Sequence, residues 1–131
     1  FVRRALAGET IEIYGTGQQS RCFCNVRDVV EALVRLIDCP DAVGEVVNVG
    51  TTDSITIEEL ADTIIERTGS ASAKRFLSYE EAYGRPFDDM LRRQPDLRKL
   101  QRLIDFRPTV PLDETLDDVI AYERERAQAA G

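Results

Sequence analysis

Ile11-Glu12-Ile13-Tyr14-Gly15-Thr16-Gly17-Gln18-Gln19-Ser20-Arg21-Cys22-Phe23-Cys24-Asn25-Val26-Arg27-Asp28-Val29-Val30 decides the fold. Its first four residues alternate and are β-rich, which predicts a strand. Gly15-Thr16-Gly17 predicts a turn. Arg21 to Val26 predicts a second short extended piece, with Cys22, Cys24 and Val26 on one side and Phe23 on the other. Asp28 then reads as an N-cap, with Glu31 three residues on. Behind it Val29, Ala32, Leu33, Leu36 and Ile37 recur at helical spacing. Strand, turn, strand, helix is the opening of an α/β protein.

The flanks continue the alternation. Residues 1–7 read as the end of a helix closed by Gly8. Cys39-Pro40 ends the helix after Asp28. Glu45 to Val49, between Gly44 and Gly50, reads as a buried strand. Thr56 and Glu59 predict a capping box for a helix carrying Ile57, Leu60, Ala61, Ile64 and Ile65 and stopped at Gly69. Phe76-Leu77 predicts a short strand. Residues 79–95 are mixed, Asp96 can cap a helix with Leu97, Leu100 and Ile104, and Pro108 and Pro111 bracket a turn. Leu112, Leu116, Val119 and Ile120 stripe a last helix whose tail, Glu123 to Ala130, is expected to fray. This order predicts an α/β class with parallel pairing and few strands. So thin a sheet predicts part of a larger α/β protein, or a chain that pairs with another.

Composition narrows the chemistry. The 131 residues suffice for one domain. Seventeen basic and 24 acidic side chains give a net charge of −7, which argues against general nucleic-acid binding. No apolar run is long enough to span a bilayer. The absence of histidine removes His-based acid–base chemistry, Ser-His and Cys-His nucleophile pairs and most zinc sites. Three cysteines do not make a disulfide framework and fit a reducing cytoplasm; Cys22-x-Cys24 has the wrong spacing for a zinc knuckle. The chain begins with Phe1, so the natural N-terminus is expected upstream.

Several residues could carry chemistry. Gly15-Thr16-Gly17-Gln18-Gln19-Ser20 nearly matches G-x-G-x-x-G. Its third glycine is Ser20, however, and an extended segment follows in place of the helix that a dinucleotide loop needs. Arg21 after the turn reads either as a solvated arginine or as an anion clamp. Residues 85–107 hold seven basic and four acidic side chains, a local +3 that suits a phosphate-bearing ligand or a solvated helix face. Within it, Arg92 and Arg93 precede Pro95 and the Asp96 helix start. Tyr14, Tyr79 and Tyr83 could stack on a base or supply a proton. No tyrosine has a lysine four residues later. The adjacent acidic pairs do not face one another on a helix.

Taken together, the motifs resemble a known family. Residues 11–30 resemble the "I-x-V-Y-G-x-G-x-Q-x-R-x-F-x-x-V-x-D-V-V" pattern of NAD-dependent nucleotide-sugar epimerases and dehydratases, the extended short-chain dehydrogenase/reductases. Val46-Val47-Asn48-Val49-Gly50 followed by Thr56 to Ala61 is similar to the family's next strand and helix. Arg92 to Lys99 resembles its "R-x-P-D-x-x-K" segment, and Phe106 to Leu116 its C-terminal ending. The likeness is greatest to the UDP-glucuronate decarboxylase and dTDP-glucose 4,6-dehydratase branches.

The resemblance implies that residues 1–131 form a single fragment with a partial Rossmann-like fold. This is the substrate-binding, C-terminal portion of such an enzyme, binding the base and diphosphate of a UDP- or dTDP-sugar. Tyr14 would line the base pocket, Gln19 would sit in the loop, and Arg21 and Arg93 would grip the diphosphate, with Arg92 as a second choice. NAD is expected in the full-length protein, held by a missing N-terminal domain, and not by this chain. The glycine-rich NAD loop and the Tyr-x-x-x-Lys pair would lie upstream of Phe1, so the chain is expected to have no catalytic residues and to be inactive alone. The implied enzyme is cytoplasmic and commonly a homodimer, with neither nucleic acid nor membrane as partner. Cys22, Cys24, Asn25 and Arg27 depart from the pattern and leave the base open. Two alternatives remain: a stand-alone nucleotide-sugar-binding or interaction module, and a remnant with no ligand.

Overall fold

The computed structural model describes residues 1–85 and 87–129. In chain order it runs α1 (Val2–Leu6), β1 (Ile11–Tyr14), β2 (Ser20–Cys22), α2 (Val26–Ile37), a 3-10 turn (Pro40–Ala42), β3 (Ser54–Thr56), α3 (Ile57–Thr68), β4 (Lys74–Leu77), α4 (Tyr79–Tyr83), α5 (Arg98–Ile104) and α6 (Leu112–Ala129). Expected fraying at Ala130 falls outside the described residues. The fold is mixed α/β with few strands and several helices. Its backbone contacts divide into two units. One holds residues 1–21, 55–92 and 116–131; the other holds 22–54 and 93–115.

In the first unit β1 and β4 pair in parallel, Ile11 opposite Lys74 through Tyr14 opposite Leu77. Strand β2 pairs with β3 in a second two-stranded sheet. The parallel pairing follows from the helix between the strands, which returns the chain in the same direction. Helix α3 starts and stops where its residues say. Thr56 accepts from Glu59 N while Glu59 reaches back to Thr56 N, and Gly69 closes the last turn at φ 65°. The helix lays Leu60, Ala61 and Ile64 inward, with β1 and α1 packed on it, so Ile11, Ile13, Val2 and Ala5 share its core. From α6, Leu116 and Ile120 are buried as well.

The second unit centres on Ala32, Leu100 and Phe106, with Leu36, Val47, Val49, Leu97 and Ile104 around them. Two local expectations are corrected here. Helix α2 begins at Val26, and its cap is Asn25, whose side chain accepts from Arg27 N. Asp28, the expected cap, is buried inside the first turn. Its carboxylate accepts from Thr109 N, Thr109 Oγ1 and Val110 N at 3.0, 3.1 and 3.0 Å. An Asx or Asp near a helix start serves either role, and only the position of the Pro108–Pro111 turn settles which.

Glu45 to Val49 forms no strand. Val47 and Val49 do reach the core cluster, but Val46 is exposed. A strand needs a neighbour to pair with, and among the described residues none lies alongside this run. Helix α2 shows a matching feature. Ala32 faces the core, whereas Val26, Val30, Leu33, Val34 and Ile37 are each at least half exposed, at spacings of four, three, one and three. The helix therefore has apolar residues on two sides, and only one is covered within its unit.

Candidate functional site

The turn after β1 places the expected site residues. Gly15 and Gly17 both have φ near +75°, which a side chain opposes. A Cβ at Gly15 would stand 2.8 Å from the Tyr79 ring; at Gly17 it would press on Glu58 and Phe76 at 3.0 Å. Both glycines thus admit close neighbours. As the extended segment after Ser20 predicts, β2 follows the turn and no helix N-terminus opens there. The turn thus lacks the helix N-terminus on which a dinucleotide pyrophosphate rests, and among the described residues no group of side chains has the make-up of a metal site.

Within the first unit the turn borders an open cavity of about 720 Å³. Tyr14, Gln19 and Arg21 line it, together with Arg3, Arg4, Glu12, Tyr79, Tyr83, Asp89 and Glu123. Tyr14 projects from the end of β1 and meets Tyr83 edge to face at 5.6 Å between ring centres. Tyr83 in turn lies parallel to Tyr79, and Phe87 tilts against both, so one wall is aromatic. Gln19 is buried. Its Nε2 donates to Tyr14 O at 2.7 Å, and its carbonyl accepts from Ile57 N at 3.1 Å. It therefore ties the turn shut and fixes where Tyr14 and Arg21 stand.

Arg21 is held by three hydrogen bonds. Nη1 donates to Ser20 O at 2.7 Å and to Met90 O at 2.9 Å, and Nη2 donates to Asp89 Oδ1 at 2.5 Å. The other oxygen of that carboxylate accepts from Tyr79 Oη at 2.7 Å. Sequence reasoning missed Asp89. It counts as one acid in a basic segment, and no local signal marks a partner 68 residues away. Burial, then the bond to Asp89, pushes the Tyr79 hydroxyl up to about 12 from the usual 10. Near neutral pH Tyr79 is a hydrogen-bond donor and not a proton carrier. The folded state keeps this proton through pH 10–12 while the unfolded chain gives it up, so the group's contribution to stability falls as pH rises through that window. An ultraviolet titration of the four tyrosines should show one that ionises last, near pH 12, and returns toward 10 in Asp89→Asn. Four tyrosines titrating together would contradict this.

The two remaining arginines lie apart in the unit division. Arg92 belongs to the first unit and bridges to Ser20 on β2. Arg93 belongs to the second, is exposed, and its carbonyl accepts weakly from Cys22 Sγ at 3.8 Å. Two cations of the basic run are paired within the second unit. Arg98 is paired with Asp96, whose carboxyl it holds down to about 2, and Lys99 is paired with Glu45. The three cysteines form no disulfide among the described residues and are half-buried. Among the described residues, no helix is long and apolar enough to cross a membrane.

Comparison with known proteins gives the family and the fold. The family model described as GDP-mannose 4,6 dehydratase matches residues 1–119. A UDP-N-acetyl-α-D-glucosaminuronate decarboxylase of Bacillus cytotoxicus is 36% identical over 125 residues, 95% of this chain and 39% of that protein. The structure of a UDP-glucose 4-epimerase of Thermotoga maritima with UDP-glucose superposes with a TM-score of 0.84 at 27% identity, over 96% of this chain and 38% of that one. A UDP-glucuronic acid 4-epimerase of Bacillus cereus, solved with NAD, superposes at 0.79 and 22% identity, over 95% of this chain and 37% of that one, and shares the fold. The chain spans well under half the length of the curated relatives it matches, 39% of the Bacillus cytotoxicus protein among them. With 119 of its 131 residues under the family model, the chain belongs to the NAD-dependent nucleotide-sugar epimerases and dehydratases, a Rossmann-like family within the extended short-chain dehydrogenase/reductases.

Proposed function

We propose that this chain is the substrate-binding portion of an NAD-dependent nucleotide-sugar epimerase, dehydratase or decarboxylase, and that its cavity takes the base and diphosphate of a UDP- or dTDP-sugar. One observation carries the reading: Tyr14, Gln19 and Arg21, chosen from the sequence, border a single cavity with an aromatic wall and a guanidinium on it. An aromatic face suits a flat base, and a planar guanidinium suits phosphate oxygens. Gln19 sets the turn that positions both. Arg92 bridges Ser20 through its backbone, and its exposed side chain is not part of the cavity lining. Arg93, exposed in the other unit, is a separate candidate for the diphosphate, to be tested by its own alanine variant.

NAD would be held by the part of such a protein that this chain does not span, and would supply the transient oxidation of the sugar. This chain's residues would hold the nucleotide end, far from the reacting carbon, and so lend binding energy to position it. The uncovered apolar side of α2, with the exposed Val46, is the surface that portion would cover. That division of labour implies no activity for the chain alone.

Calorimetric titration of the chain with UDP and dTDP, alongside a turnover assay with UDP-glucuronate, UDP-glucose, dTDP-glucose and NAD, tests both parts. Saturable nucleotide binding without turnover is expected. Binding that ignores Arg21→Ala would remove the cavity from the reading. Turnover by the chain alone would remove the need for a second portion.

A further inference from the structure

The lining of the cavity has a charge balance that bears on how an anion could enter. Three guanidiniums face it, and each already has a carboxylate: Arg3 with Glu123 at 2.8 Å, Arg4 with Glu12 at 3.0 Å, and Arg21 with Asp89 at 2.5 Å. As it stands the cavity is no net attractor for a diphosphate. One pair must exchange. Glu12 belongs to β1 and Glu123 to α6, so each is fixed by a ladder or a helix. Asp89 belongs to neither: residues 87–91 carry no helix or strand. It is the carboxylate the fold restrains least.

Asp89 also shows what its donors recognise. Its two oxygens are gripped from separate sides, one by Arg21 Nη2 and the other by the Tyr79 hydroxyl. A carboxylate and a phosphate present paired oxygens at nearly the same separation, and both attract charge-assisted donors. Tyr79 is firmly set for this task. Its ring lies so close over Gly15 that no Cβ would fit there, and its proton is retained near neutral pH.

From this geometry we infer that Arg21 and Tyr79 together form a phosphate subsite, and that Asp89 is a built-in stand-in that a nucleoside diphosphate displaces. The inference rests on the proposed nucleotide-binding role of the cavity and adds to it a ligand residue, Tyr79, and a rival anion, Asp89. The exchange is balanced in kind. Two donors leave a singly charged carboxylate for phosphate oxygens carrying more charge, and Asp89 passes to water, where an ionised carboxylate is well solvated.

Calorimetry of UDP and of uridine, on the chain and its variants, gives opposed outcomes. Asp89→Asn removes the rival charge and should tighten UDP about tenfold while leaving uridine unchanged, the increment of one charge-assisted hydrogen bond. Adding Tyr79→Phe to Asp89→Asn should take back most of that gain, again for UDP alone. This double variant is the cleaner test of the hydroxyl, because no carboxylate then competes for it. Circular dichroism of each variant confirms that it is folded. Weaker UDP binding in Asp89→Asn would overturn the stand-in, since Asp89 would then be supporting Arg21. An unchanged UDP affinity on adding Tyr79→Phe would overturn the subsite. Parallel losses for UDP and uridine would assign both residues to structure only. If the unsubstituted chain binds no UDP, the cavity reading itself fails, and this inference with it.

Discussion

Replacing Arg21 by alanine is expected to weaken UDP or dTDP binding by about a hundredfold or more and to leave the affinity for the nucleoside nearly unchanged. Two charge-assisted hydrogen bonds at about 1.5 kcal/mol each amount to about 3 kcal/mol, and each 1.4 kcal/mol is a factor of ten. A second loss adds to the first. Without Arg21, the Asp89 carboxylate keeps Tyr79 as its donor but no cation, and it faces the cavity with a bare negative charge. The double substitution Arg21→Ala with Asp89→Asn should therefore bind UDP better than Arg21→Ala alone. The difference between that recovery and the effect of Asp89→Asn alone is the coupling term of a double-mutant cycle. Calorimetry at two salt concentrations is the check: the diphosphate increment should lose salt sensitivity together with affinity. A fall of less than about threefold would mean that Arg21 serves only to pin Ser20, Asp89 and Met90.

The largest effect on stability is expected at Asp28. Its side chain is 2% exposed and has no cation beside it among the hydrogen bonds and ion pairs described; its charge is held by two backbone N–H groups and one hydroxyl. Alanine would leave Thr109 N and Val110 N without their acceptor on the side that faces the buried Asp28 position. Three hydrogen bonds to a charged acceptor, set against the relief of no longer burying the charge, imply a loss of about 3–5 kcal/mol. Asparagine keeps one oxygen for Thr109 but turns an amide N–H₂ toward the Val110 N–H. It should cost about half as much, with the same sign. Urea unfolding of the three proteins measures this through the shift in midpoint. A loss under about 1 kcal/mol for the alanine variant would mean that water reaches the Pro108–Pro111 turn and replaces the carboxylate.

Asp28 also shows why part of the fold escapes a reading along the chain. The residue has the right type and position for a cap, and Glu31 completes the pattern. Its partners, Thr109 and Val110, lie 81 and 82 residues away. Local chemistry permits both roles, and packing chooses. The run from Glu45 to Val49 fails for a related reason. Its side chains ask for burial and Val47 and Val49 obtain it, but a ladder requires a second strand, which the run itself cannot encode.

What the sequence determined by itself is the set of features closed within a few residues. The capping box of α3 and its stop at Gly69, the strand before Gly15, the glycine turn and the absence of a helix after it all follow from near neighbours. So does the family, because the order of short motifs along the chain survives translation into structure. The tertiary structure alone decided the rest. It brought Asp89 and Tyr79 to Arg21, matched each guanidinium of the cavity with a carboxylate, and left more than half of α2's apolar residues exposed. The physical reason is range. Turns and caps are set by backbone donors a few bonds away, whereas the charge and burial of a side chain depend on whatever distant segment is folded against it.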